Sequence, residues 1–135
     1  MIEFPRMARI LVVDDERDVV TMLKFMFEKD GHDVDMAYDG VAALAALGIE
    51  PPDATKILPD VAIMDMMMPE LDGYAVCAKM GEGPRTRTIP VVMLSANSGE
   101  KSAAHPLPHV AARIDKPFDP RVLRKTVADL LSGKP

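Results

Sequence analysis

Residues 9–16 read RILVVDDE, and residues 61–65 read VAIMD. Each is a short apolar run without alternation that ends abruptly in carboxylates. A run of this kind suits a strand covered on both faces, as in a parallel sheet. Pro90–Leu94 repeats the pattern and ends at Ser95, and the apolar segment Val110–Ile114 precedes Asp115-Lys116-Pro117. His32–Ala37 reads as a further strand, with Val34 and Met36 alternating against polar neighbours.

Between these runs the period changes. Val19, Leu23, Met26 and Phe27 recur at helical spacing after an acidic start and before Gly31, and acids favour a helix start while glycine commonly follows its end. Asp39-Gly40 turns into a second helix over Val41–Leu47, and Pro69 to Gly73 turns into a third over Tyr74–Met80. Asp119-Pro120 opens the last, with Leu123, Val127 and Leu130 on one face; proline at the first helical position after an aspartate cap is a strong start signal. The segments 48–59, which carries three prolines, and 81–88 read as loops. Strands alternating with helices imply a sheet with helices on both faces. With right-handed crossovers, the reading is a doubly wound, flavodoxin-like sheet of five parallel strands in the order 2-1-3-4-5.

The chain has 135 residues and a net charge of −5, enough for one domain whose core needs no staple. Cys77, the only cysteine, excludes an internal disulfide, fits a reducing compartment and reads as a small buried hydrophobe. The scattered basic residues, among them Arg85, Arg87, Arg121, Arg124 and Lys125, form a solvated face, so direct nucleic-acid binding is not expected. No apolar run is long enough to cross a bilayer, and the first residues lack a signal-peptide pattern. A cytoplasmic chain is the expectation, with residues 1–7 as an extension, 8–132 as the domain and 133–135 as a tail.

In a parallel sheet the strand ends share one edge, so Asp14, Asp15, Asp65, Ser95 and Lys116 converge. Three carboxylates without a nearby cysteine or histidine call for a hard cation, Mg²⁺ rather than zinc. A carboxylate can itself attack phosphorus and form an aspartyl phosphate, with cation, ammonium and hydroxyl neutralising the phosphoryl oxygens. Taken singly, Asp14-Asp15 reads as a helix cap, Asp65 as a turn residue and Lys116 as exposed; together, those readings leave the shared edge unexplained.

The segments ILVVDDE, MDMMMPELDG, PVVMLSA and DKPF, in that order, resemble the four signature blocks of response-regulator receiver domains. The resemblance spans residues 8–132. It implies a phosphoacceptor at Asp65 and a Mg²⁺ ion (or Mn²⁺) held by Asp14, Asp15, Asp65 and the backbone carbonyl of Met67. It implies a phosphoryl-binding switch hydroxyl at Ser95 paired with Lys116, and a cis bond before Pro117. The partners implied are a sensor histidine kinase or histidine phosphotransfer protein and a downstream protein target, with dimerisation on phosphorylation left open. The chain would catalyse only its own phosphorylation and slow dephosphorylation.

Two departures bear on output. Arg113 stands three residues before Lys116, where the family often carries an aromatic switch residue. Pro106 and Pro108 interrupt the segment SGEKSAAHPLPHVA, so the helix expected between strands 4 and 5 is short or irregular. Met67 and Asn97 flank the site and would tune phosphoryl lifetime through water access. Met64, Met66, Met67 and Met68 read as adaptable packing, and His32, His105 and His109 as surface residues. Two rivals remain: a phosphorylation-independent interaction module, and an aspartate-nucleophile phosphatase, which would want a second acid where Met67 stands.

Overall fold

The computed structural model describes residues 7–95, 107 and 109–133. Five strands, β1 (Arg9–Val13), β2 (Asp33–Ala37), β3 (Val61–Asp65), β4 (Val91–Ser95) and β5 (Val110–Asp115), form one sheet in the order β2-β1-β3-β4-β5. All adjacent pairs are parallel. The helices described are α1 (Arg17–Lys29), α2 (Gly40–Ala46), α3 (Gly73–Glu82) and α4 (Pro120–Leu131). The expected irregular helix between β4 and β5 lies outside the described residues, as do Asn97 and His105.

The unbroken apolar runs divide by parity, because successive side chains point to opposite faces of a strand. Leu11, Val13, Ala62, Met64, Val91 and Met93 pack with Leu44, Val76, Cys77 and Met80 of α2 and α3. Ile10, Val12, Val61, Ile63, Val92 and Leu94 pack with Val20, Leu23, Phe27, Leu123 and Val127 of α1 and α4. Both faces are thus covered, which is why the central strands carry no polar residue until their ends.

β5 breaks the parity. Val91 pairs with Val110 but Val92 pairs with Ala112, so Ala111 is an extra residue at a β-bulge. Val110 packs on the α2–α3 side, whereas Ala112 and Ile114 pack on the α1–α4 side. A one-residue slip exchanges the two faces of a strand. Downstream, Arg113 falls on the exposed alternate positions of this edge strand, and Asp115 comes into register with Ser95.

The aspartate read as a cap at Asp119 acts as one, and Asp39 and Asp72, which lie in the segments read as turns, do the same. Asp39, Asp72 and Asp119 accept backbone hydrogen bonds from Ala42, Ala75 and Arg121, closing the first turns of α2, α3 and α4, which satisfies donors that a helix start leaves orphaned. Peptide bonds Glu50–Pro51 and Lys116–Pro117 are cis.

Candidate functional site

The C-terminal ends of β1, β3, β4 and β5 meet at one edge. Asp14 follows β1 directly and stays tied to the sheet through its backbone N–H, which donates to the carbonyl of Ala37 (3.2 Å). Its carboxylate is fully buried (0% exposed). Oδ1 accepts the backbone N–H of Glu16 (2.9 Å), and Oδ2 accepts from the Lys116 ammonium (2.9 Å). Asp14 therefore does not cap α1. The N-cap residue is Glu16, which makes no side-chain cap bond.

Asp65 ends β3 and is 3% exposed. Its Oδ1 accepts from the backbone N–H of Met67 and lies 3.3 Å from Lys116 Nζ. Lys116 is held at its backbone by an N–H bond to the carbonyl of Ser95 (2.7 Å), which is possible because Asp115 and Ser95 are in register. Lys116 is thus not an exposed residue before a proline: its ammonium reaches Asp14, Asp65 and Glu16, the last at 3.3 Å. Ser95, itself buried, ends β4 at the same edge.

The electrostatics follow from that crowding. Burial, then the neighbouring Asp14 charge, pushes the Asp65 carboxyl up to about 7, against the pull of Lys116 and the Met67 N–H. For Lys116, burial alone would lower the pKa, but the Asp14 hydrogen bond and the Asp65 and Asp14 charges outweigh it and the pKa is raised. Desolvation disfavours a charged form and an opposite charge favours it. One ammonium does not neutralise three carboxylates. Oxygens of Asp14, Asp15 and Asp65 all lie within 4.8 Å of one another, and hard oxygen donors so placed fit a single Mg²⁺-like cation. The nearest cation in sequence, Arg17, does not relieve the crowding: its guanidinium stacks 4.0 Å from the Tyr38 ring centroid.

Two contributors escaped sequence reasoning. Glu16 was read only as part of the acidic run; its position directly after the aspartate pair was the available signal. Gly73, read as a turn residue, starts α3 against the end of β3: a Cβ there would fall inside the backbone carbonyl of Asp65. Its lack of a side chain lets the helix seat against the strand end that presents Asp65.

Other residues resolve differently. Met64 and Met68 are core and Met66 is half-buried, but Met67 is 66% exposed beside the site. Cys77 is buried, and burial pushes its thiol up to about 12, with Arg113 opposing and Asp72 assisting; it is inert packing. The expectation that His109 is a surface residue fails. It is 9% exposed, because it sits at the base of β5 beside Gly81 of α3, which leaves room for its ring. Burial pushes its pKa down, partly offset by a hydrogen bond to the carbonyl of Cys77.

The family model for the response regulator receiver domain matches residues 10–128. The chain belongs to that family. It is 38% identical over 128 residues to the response regulator PleD of Caulobacter vibrioides, a match covering 94% of this chain and 27% of PleD. It is 33% identical over 128 residues to protein PilH of Pseudomonas aeruginosa, covering 94% of this chain and all of PilH (100%). The chain thus spans about a quarter of one relative and the whole of another. Among solved structures, the receiver domain of a signal transduction histidine kinase from Syntrophus aciditrophicus superposes with a TM-score of 0.80 at 33% identity, covering 93% of this chain and 91% of that one. This receiver domain is therefore a module of two-component signalling, a class of switches rather than of classical enzymes. Among its described residues no helix is long and apolar enough to cross a membrane.

Proposed function

We propose that this receiver takes a phosphoryl group onto Asp65 from the phosphohistidine of a sensor kinase or histidine phosphotransfer protein, and that the modification switches its contacts with a downstream protein. The observation that carries the reading is the placement of Asp65: a buried carboxylate 3.3 Å from the Lys116 ammonium, with oxygens of Asp14 and Asp15 close enough to share a cation with it. An Asp65 oxygen attacks phosphorus, the P–N bond to the donor imidazole breaks, and an aspartyl phosphate forms. Asp14, Asp15, Asp65 and the Met67 carbonyl would hold Mg²⁺, which when bound neutralises charge on the phosphoryl oxygens. Lys116 supplies a second positive charge beside Asp65, and the Ser95 hydroxyl donates to a phosphoryl oxygen. Ionisation of Asp65, opposed by burial, is favoured by those same positive charges.

The exposed Arg113 in place of an aromatic favours an unusual readout on the β5 face, in which the guanidinium meets an acidic partner. A second reading, a receiver-like interaction module that works without phosphorylation, draws its support from this same departure. Intact mass after incubation with acetyl phosphate and Mg²⁺ separates the two. A gain of about 80 Da, one phosphoryl group replacing a proton, that needs the metal and is absent from Asp65→Asn, is the expected result. No gain with acetyl phosphate or with a phosphorylated kinase, at short times, overturns the switch in favour of the module.

A further inference from the structure

Glu16 occupies the N-cap of α1, where a short side chain normally accepts a backbone N–H of the first turn. It makes no such bond. Its side chain, 64% exposed, instead reaches the Lys116 ammonium at 3.3 Å. Among the described residues Lys116 therefore has three carboxylate neighbours, and they are not equivalent. Asp14 and Asp65 belong to the trio whose oxygens converge within 4.8 Å, and Glu16 does not. Asp14 and Asp65 are buried and fixed by the ends of their strands; Glu16 is free to follow its partner.

We propose that Glu16 is a positioning residue that retains Lys116 in the cleft when a divalent cation claims Asp14 and Asp65. This rests on the cation-assisted reading above. A dication on the trio competes with Lys116 for two of its three partners and repels the ammonium at short range. The Lys116 backbone stays tied to Ser95, so only its side chain responds. Glu16 is the remaining carboxylate within its reach among the described residues, and pairing there keeps the ammonium beside Asp65, where a phosphoryl group would arrive. Cation and lysine then occupy the cleft together instead of excluding each other.

The rival account is that Glu16 merely adds negative potential near the cation. A double-mutant cycle separates them. Mg²⁺ dissociation constants are measured by calorimetry on the full chain for wild type, Glu16→Gln, Lys116→Met and the double variant, near physiological ionic strength where distant charges are screened. Retention predicts that Glu16→Gln weakens Mg²⁺ about threefold with Lys116 present, the scale of an exposed ion pair, and by less than half of that without it. Equal losses in both backgrounds overturn the proposal. Side-chain NMR of Lys116 gives a check that needs no lysine variant. With Mg²⁺ bound, its ammonium end stays ordered in wild type and becomes mobile in Glu16→Gln; equal mobility in the two overturns it. If wild type binds no Mg²⁺, the cation-assisted reading falls and this proposal falls with it, whereas Mg²⁺ binding with additive losses removes this proposal alone.

Discussion

The sheet buries polar groups at both of its edges, and the two edges handle them in opposite ways. At the C-terminal edge the carboxyl groups of Asp14 and Asp65 crowd around the single Lys116 ammonium, with Asp15 beside them. Near the N-terminal edge His109 is kept neutral: burial lowers its pKa, its ring donates to the Cys77 carbonyl, and its Nε2 has no hydrogen-bond partner among the described residues. A protein that only needs to bury a polar side chain neutralises it, as at His109. Holding several carboxylates together against their own repulsion makes physical sense when a cation completes the set.

The largest test of this contrast is at Gly73. Gly73→Val places side-chain atoms into the Asp65 carbonyl, so a loss of about 3 kcal/mol in urea unfolding is expected, at the upper end for overpacking, together with loss of Mg²⁺ binding. Unchanged stability would mean that α3 does not seat against the strand end as described.

Next comes Asp65→Asn. Its carboxyl stands near 3.8 when unfolded and is raised to about 7 in the fold, so between these values the folded state binds the extra proton. Stability from this group is therefore full below the unfolded value and is lost as pH rises through about 7. In metal-free buffer at pH 8, Asp65→Asn should be more stable than wild type by about 1–2 kcal/mol. The gain should vanish below about pH 4, where the acid is protonated in both states, and saturating Mg²⁺ should remove it. A destabilised variant at pH 8 would show that the edge is content as it stands.

His109 has the opposite sign of titration. Its folded pKa is lowered from 6.5, so the unfolded chain takes the proton first, and its contribution is full above the unfolded value and lost as pH falls below it. Relative to His109→Leu, wild type should lose stability as pH falls from 7.5 to 5. Parallel stability–pH curves would show that the imidazole titrates as it does in water.

The smallest effect belongs to Gly81→Ala. A Cβ there sits 3.3 Å from His109 Cε1, so the usual helix-propensity gain of about 0.5–1 kcal/mol should be cancelled by crowding. In the His109→Ala background the same substitution should regain most of it. Equal changes in the two backgrounds would uncouple α3 from β5.

Much of this molecule was legible from local pattern. The runs RILVV, VAIM and VVML suit strands buried on both faces, and right-handed crossovers with both faces covered favour the order 2-1-3-4-5. The shared edge then followed from topology, and with it the convergence of Asp14, Asp15, Asp65, Ser95 and Lys116. Each of those statements depends on residues adjacent in sequence or on a rule that ignores side-chain detail. The bulge at Ala111, the burial of His109 against Gly81, the contact of Gly73 with Asp65 and the reach of Glu16 to Lys116 are different in kind. They are pairings between positions up to 100 residues apart, settled by which atoms meet once the layers are packed. Period and composition determined the layers; close packing, which neither encodes locally, decided which of the buried polar groups would be left wanting a partner.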